Sequence, residues 1–166
     1  MNRTPQDFYN QALKACDAKN FQEGLEYFNL ALTINPDHAE SRYGRAKVHY
    51  QLKQLQESLS DFDFLVHLDP ENAHYYGERA IIRFMLNDKD GTLSDLDKAV
   101  FLQPEKPYRY ASRAFLKDRM GDLKGALVDY NKAIELDPED AISYNNKGLV
   151  EEKMGYMERS KQSFSK

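Results

Sequence analysis

Apolar positions recur along this chain with the period of an amphipathic helix, and the whole pattern repeats in register. Four similar phrases each end in a proline, 34 residues apart, at Pro36, Pro70, Pro104 and Pro138. Because proline lacks an N–H and disfavours helix in the residue before it, each phrase predicts a helix end. Within each period an apolar stripe occurs twice at helical spacing, with a turn between the two copies. The pattern therefore predicts helix, turn, helix in every period.

The turns inside the later periods carry residues that tolerate a left-handed backbone, namely Gly121, Gly155 and Asn87. Lys19 and Lys53 occupy the same place in the first two periods, so we expect backbone strain or another turn there. At the start of the chain, Thr4 is followed by Pro5 and Asp7, which predicts a capping box with proline at the first helical position.

The second helix of each period predicts how the helices pack. It carries a small residue, then a large apolar one, and then a further apolar one: Gly24, Ser58, Thr92, Ala126 and Ser160; Phe28, Phe62, Leu96, Tyr130 and Phe164; Ala31, Leu65, Ala99 and Ala133. Small residues allow two helices to approach, and a large side chain fills the space beside them. The stripe extends through Leu25, Leu59, Leu93 and Leu127, and near the helix ends through Ile34, Leu68, Leu102 and Leu136. One helix pair cannot bury this surface alone, so we expect the pairs to stack.

The pattern resembles the tetratricopeptide repeat (TPR) family. The resemblance rests on the 34-residue period, the terminal proline, a small eighth residue (Ala12, Ala46, Ala80, Ala114, Gly148) and an aromatic fourth residue (Phe8, Tyr76, Tyr110, Tyr144), which Arg42 interrupts. It implies an all-α, right-handed superhelical solenoid of stacked helix-turn-helix repeats. We expect a single domain over residues 1–166, with repeats at 5–38, 39–72, 73–106 and 107–140 and a partial repeat at 141–166.

The resemblance also implies a peptide-binding groove on the concave face, lined by the first helix of each repeat. Its expected lining is Tyr9, Leu13, Tyr43, Lys47, Tyr50, His74, Ile81, Phe84, Met85, Tyr108, Phe115, Arg119, Asn145 and Asn146. Val48, Ile82, Leu116 and Val150 remain for the core. We expect Tyr50, Phe84 and Phe115 to anchor a ligand while contributing little to the fold, because aromatic residues dominate binding hot spots. The alternative is that several of these residues pack under neighbouring helices.

Charged residues also follow the period. Arg45, Arg79 and Arg113 each precede an aspartate by sixteen residues, at Asp61, Asp95 and Asp129. This spacing predicts a row of ion pairs with a structural role, within a repeat or between adjoining repeats, so that Arg113 pairs with Asp129 or with Asp95 of the preceding repeat. Asp61 and Asp63, like Asp95 and Asp97, are two residues apart on a helix, so each pair points to opposite sides and is not expected to share a metal ion.

Composition narrows the functional classes. The 27 acidic residues outnumber the 23 basic ones, giving a formal charge of −4, which disfavours a nucleic-acid partner. No apolar run is long enough for a membrane span, and the single cysteine, Cys16, is typical of an intracellular protein, so we expect a cytoplasmic location. No catalytic motif or metal-ligand spacing is present, and we expect no enzyme activity, no metal and no cofactor.

The sequence therefore predicts a non-enzymatic adaptor that binds a peptide or protein segment in its groove. Two alternatives stay open. One is a self-assembling structural module, such as a homodimer, and the other is a regulatory fragment of a larger multidomain protein. The Lys and Asn clamp by which some TPR proteins bind chaperone C-termini is missing in every register of this sequence.

Overall fold

The computed structural model describes residues 3–155, and the regular structure in this range is entirely α-helical. The helices are α1 (Pro5–Asp17), α2 (Phe21–Ile34), α3 (Ala39–Gln51), α4 (Leu55–Leu68), α5 (Ala73–Met85), α6 (Lys89–Leu102), α7 (Pro107–Met120), α8 (Leu123–Leu136) and α9 (Ala141–Lys153). The predicted alternation of helix and turn is confirmed over this range, and with it the all-α fold class. The predictions for Ser160, Lys161 and Phe164 fall outside the described residues.

The chain forms two compact units, Met1–Asn87 and Asp88–Lys166. In the N-terminal unit, α1 to α5 pack each against the next, and α1 also contacts α3. In the C-terminal unit, α6 packs on α7, α7 on α8 and α8 on α9, and α7 also contacts α9. Each unit is therefore a stack of antiparallel helices in chain order. The single domain of five repeats stays a prediction.

The turns and caps follow the sequence closely. Lys19, Lys53 and Asn87 have φ values of 62°, 63° and 62°, and Gly121 and Gly155 have 90° and 77°. The two lysines thus adopt the left-handed conformation that glycine adopts later, at an expected cost of about 1–2 kcal/mol each. At the start of α1, Thr4 and Asp7 form the predicted capping box. The helices α2, α4, α6 and α8 each end two residues before the phrase proline.

The predicted core positions of the second helices are buried. Phe28, Phe62, Leu96 and Tyr130 have almost no exposed surface, and the small residue four positions before each of them is buried as well. The close approach is measurable at Gly24, where an added Cβ would lie 2.6 Å from Sγ of Cys16. Phe28, Phe62 and Tyr130 each belong to a cluster that also contains a first-helix residue, for example Phe62 with Ala46 and Ile82. Each first helix therefore packs against the large side chain of the second helix that follows it, of the second helix that precedes it, or of both.

The prediction that the apolar stripe continues to the helix end is wrong in the first two periods. Ile34 is 50% exposed and Leu68 is 40% exposed. Each is the last residue of its helix, so it lies at the margin of the contact with the neighbouring helices rather than within it. The burial of this stripe stops one helical turn earlier, at Ala31 and Leu65.

Candidate binding faces on the first helices

The residues predicted to line a groove lie on two faces, one in each unit. We call the N-terminal face the predicted lining residues of α1, α3 and α5: Tyr9, Leu13, Tyr43, Lys47, Tyr50, His74, Ile81, Phe84 and Met85. The C-terminal face consists of those of α7 and α9, Tyr108, Phe115, Arg119, Asn145 and Asn146, together with Leu149. Each face is built on helices that also carry the core residues Ala46, Val48, Ala114, Leu116 and Val150.

On the N-terminal face the aromatic residues are half-buried and the aliphatic ones are exposed. Tyr9 packs against the core cluster around Phe28, and Tyr43 and Tyr50 pack against the cluster around Phe62. Leu13, Ile81 and Met85 are exposed. Phe84 is half-buried. The tyrosines therefore contribute to both the fold and the surface. The sequence predicted that Tyr50 contributes little to the fold, but Tyr50 packs against the core cluster around Phe62.

Polar residues of the N-terminal face connect α3 to α5. The Tyr43 hydroxyl and Nε2 of His74 are 3.0 Å apart and share a hydrogen bond, and Lys47 donates from Nζ to Glu78 at 2.8 Å. Burial, followed by the nearby Glu78 carboxylate, raises the pKa of Tyr43 to about 12. The Lys47 charge is thus already balanced within the unit, and these contacts fix the spacing of the two helices.

The C-terminal face is more open. Tyr108 and Phe115 are each 49% exposed, and Leu149 is exposed as well. Lys153 of α9 donates to both carboxylate oxygens of Asp118 of α7 at 2.7 Å, which joins the two helices beside this face. Asn145 and Arg119 are exposed, whereas Asn146 is half-buried beside the core residue Tyr130. This face therefore presents apolar surface, one amide and one guanidinium to solvent.

Two of the three predicted ion pairs form within the units, Arg45 with Asp61 and Arg113 with Asp129, and the contacts of these arginines extend further than expected. Arg45 donates from Nε to Asp61 at 2.8 Å, and Arg113 donates from Nε and Nη2 to Asp129 at 2.8 and 2.6 Å. Each of these aspartates lies sixteen residues after its arginine, as predicted. Arg113 also donates from Nη1 to a carboxylate sixteen residues before it, Asp97, at 2.8 Å.

The second partner corrects the sequence analysis, which named Asp95 as the neighbouring alternative for Arg113. Asp95 and Asp97 point to different sides of α6, and the side that faces Arg113 carries Asp97. The same offset recurs in the N-terminal unit, where Arg79 donates to Asp63 at 2.8 Å. Because Asp61 and Asp63 bind different arginines, the row is a structural network that joins α4 to both α3 and α5 in the N-terminal unit and α7 to both α6 and α8 in the C-terminal unit.

The other chemical candidates have structural surroundings. Burial, followed by the charge of Asp17, raises the pKa of the Cys16 thiol, which disfavours the nucleophilic thiolate. Within residues 3–155, no three His, Cys, Asp or Glu side chains come close enough together to hold a metal ion. None of the helices in the described range combines the length and the apolar character that crossing a membrane requires.

Each unit consists of stacked helical hairpins with a 34-residue period and a buried small-then-large pattern on the second helices. These features define a helical-repeat protein. Comparison with family models agrees. The tetratricopeptide repeat model matches residues 9–73, and the TPR repeat model matches residues 119–155. The chain belongs to the tetratricopeptide-repeat family.

Several solved structures share this fold. MamA from Desulfovibrio magneticus RS-1 is 17% identical with a TM-score of 0.86, covering 99% of this chain and 93% of that chain. YrrB, described as a TPR protein with an unusual peptide-binding site, is 19% identical with a TM-score of 0.73, covering 95% and 81%. TTC0263, a thermophilic TPR protein in Thermus thermophilus, is 17% identical with a TM-score of 0.72, covering 98% and 89%. No curated protein matches the chain significantly. At these identities the likeness concerns the fold.

Proposed function

We propose that this chain is a non-enzymatic adaptor whose first-helix faces bind a segment of another protein. The TPR fold generally supports protein–protein interaction scaffolds, and YrrB, which is similar in structure, is described as having a peptide-binding site. The observation that carries the proposal is the exposed apolar surface of the C-terminal face. Tyr108, Phe115 and Leu149 are exposed on helices whose core contacts are made by other residues, Ala114, Leu116 and Val150.

The energetics favour an apolar anchor at Phe115. Its side chain is half exposed, so a ligand that covers it removes apolar surface from water without disturbing the core. Aromatic residues supply a large contact area at a small cost in conformational entropy, which is why they dominate the centres of interfaces. Phe115 and Leu149 occupy equivalent positions on α7 and α9, so a bound segment that crosses both helices meets an apolar residue on each.

The polar groups of the face supply orientation. Asn145 is an exposed amide and can both donate to and accept from the backbone of an extended ligand. Lys153 and Asp118 neutralise each other, as Lys47 and Glu78 do in the N-terminal unit. The ion pairs therefore leave apolar contacts, amide hydrogen bonds and the exposed Arg119 guanidinium as the sources of affinity on this face.

The test compares two exposed phenylalanines. Peptides are selected from a displayed random library on the full chain, and their affinities are measured by fluorescence anisotropy. Phe115→Ala should weaken binding about 30-fold, equivalent to the roughly 2 kcal/mol of a binding hot spot. Phe101 is the matched control, since it is 75% exposed but lies on the second helix of its hairpin, α6. Phe101→Ala should bind like the wild type.

Equal affinities of the two variants, or a large loss of thermal stability in Phe115→Ala, would contradict the proposal. Light scattering of the same samples tests the self-assembly alternative. If the wild type is oligomeric and Phe115→Ala is monomeric, the face joins copies of this chain instead of binding a different protein.

A further inference from the structure

A buried positive charge near the start of α7 has no opposite charge beside it among residues 3–155. Arg109 is only 7% exposed, and its hydrogen bond runs from Nε to Oε1 of Gln103, a neutral amide, at 2.9 Å. No carboxylate among the described residues pairs with it. Burial correspondingly lowers the pKa of its guanidinium. A buried charge that lacks a counter-charge is costly, so it calls for an explanation.

Other buried charges of the protein are compensated in a different way. The Asp61 carboxylate accepts from Arg42 and Arg45, and the Asp129 carboxylate accepts from Arg113 and Lys117. Each of these acids has two cationic partners, whereas Arg109 has one amide and one aromatic ring. The Arg109 Cζ lies 4.6 Å from the centroid of the Tyr108 ring, and this contact stabilises a cation only partly.

The position of Arg109 makes it accessible to a ligand of the C-terminal face. Tyr108, which stacks on the guanidinium, is half exposed on that face, and its hydroxyl donates to the same Gln103 oxygen at 3.1 Å. The two Nη atoms of Arg109 have no hydrogen bond within the described residues, and neither is fully sealed from solvent. Pro107 begins α7, no side chain caps it, and its first turn carries no acidic residue. The Nη donors of Arg109, which make no hydrogen bond within the described residues, therefore lie near the positive N-terminal end of α7 at the edge of the C-terminal face.

We propose that Arg109 binds a carboxylate carried by the polypeptide segment that occupies the C-terminal face. The proposal rests on the proposed function. Among the described residues, the guanidinium of Arg109 is the one uncompensated positive charge here. The nearby Lys106 is half exposed, and its Nζ lies 3.8 Å from a Glu105 carboxylate oxygen, so Lys106 adds no net charge. One positive charge matches a monoanion, and the planar pair of Nη donors matches the two oxygens of a carboxylate. Arg109 thus adds a charged contact to the apolar anchor at Phe115.

The first experiment measures the binding of a small carboxylate, so it does not depend on the peptide. Acetate is titrated into the full ¹⁵N-labelled chain at constant ionic strength, against sodium chloride, while the side-chain Nε–H signal of Arg109 is followed by NMR. The signal should shift and saturate in the wild type. The backbone amide shifts around α7 should lose this response in Arg109→Gln. Lys124→Gln is the control, since Lys124 is an exposed cation of the same unit that lies on the second helix α8, outside the C-terminal face, and it should keep the response.

The second variant fills the site from within. Gln103→Glu places a carboxylate oxygen where the amide oxygen now accepts from Arg109 at 2.9 Å. It should weaken acetate binding about tenfold or more and raise the melting temperature. Retention of acetate binding in Gln103→Glu, or a lower melting temperature, would overturn the proposal. Either result would show that Arg109 does not pair with a carboxylate placed beside it.

A separate titration with inorganic phosphate tests the choice of anion. Saturable phosphate binding without acetate binding would overturn the assignment to a carboxylate. The outcome is also distinct from that of the proposed function. Acetate binding that depends on Arg109, together with unchanged peptide affinity in Phe115→Ala, would retain the anion site and reject the apolar anchor. Peptide binding that depends on Phe115, with no acetate response, would do the reverse.

Discussion

Removal of Arg113 tests whether the arginine and aspartate network stabilises the stack of helices. Arg113 donates twice to Asp129, whose side chain is 2% exposed, and once to Asp97, whose side chain is 64% exposed. The bond to Asp129 is the largest cause of the raised pKa of Arg113. When the arginine is removed, the Asp129 carboxylate stays buried and keeps a single cationic partner, Lys117, at 2.8 Å.

The expected loss follows from the bonds that are broken. A hydrogen bond to a charged group contributes about 1.5–3 kcal/mol, so two such bonds to Asp129 amount to about 3–6 kcal/mol. The contact with exposed Asp97 adds little, because surface ion pairs contribute about 0–1 kcal/mol. Because Lys117 still compensates part of the Asp129 charge, we expect the lower end, about 3 kcal/mol for Arg113→Met.

A double-mutant cycle measures this coupling. Urea unfolding of Arg113→Met, Asp129→Asn and the double variant is followed by far-ultraviolet circular dichroism. The double variant should lose at least about 1 kcal/mol less than the sum of the single losses, since either change alone breaks the same pair. Arg119→Met, on the same helix but exposed, should stay within about 0.5 kcal/mol of the wild type. Strictly additive losses would refute the reasoning and make the network a row of solvated charges.

Three further outcomes follow from the structure. Phe62→Ala should cost about 3–5 kcal/mol in urea unfolding, because the ring is fully buried among Ala46, Leu65 and Ile82. Lys53→Gly should raise the unfolding free energy by up to about 1 kcal/mol, since φ is 63° and only glycine adopts it without strain. The pKa of Tyr43 is raised from 10.0 to about 12, so its contribution to stability is complete below pH 10 and is lost as the pH rises through 12. The melting temperature of the wild type should therefore fall more steeply over this range than that of Tyr43→Phe, and parallel curves would contradict the shift.

Much of the fold could be predicted because the repeat supplies the same physical constraint several times. A lone Phe62 in an apolar stretch is uninformative, but Phe28, Phe62, Leu96 and Tyr130 at one register identify the inward side of every second helix. The burial at the end of the stripe could not be predicted, because periodicity locates a face but not the extent of the neighbour that covers it. Ile34 and Leu68 continue the pattern beyond that neighbour and are exposed.

The charged residues show the same limit. The spacing of sixteen residues identified Asp129 as a partner of Arg113, since both have equivalents in other repeats. It did not distinguish Asp97 from Asp95, because that choice depends on the rotation of α6 against α7. Lys117, four residues after Arg113 on the same helix side, was a detectable signal for the third donor. Arg109 was also detectable as an exception, since the equivalent positions of the other repeats carry Asp7, Ser41, Tyr75 and Ser143 and no cation. Its burial could not be predicted, because burial depends on how the helices pack.

The distribution of charge and apolar surface on the two faces has a consequence for binding. Lys47 with Glu78, and Asp118 with Lys153, are ion pairs between successive first helices, so these side chains are ordered before any ligand arrives. A ligand then loses less free energy in ordering the face, because the helix spacing is already fixed. Since paired charges attract a charged ligand only weakly, discrimination between ligands depends on the groups left unpaired. On the C-terminal face these are the apolar surface of Phe115, the amide of Asn145 and the guanidinium of Arg119, with the buried guanidinium of Arg109 at its edge, and under the proposed function they favour a ligand that carries both an apolar side chain and a carboxylate.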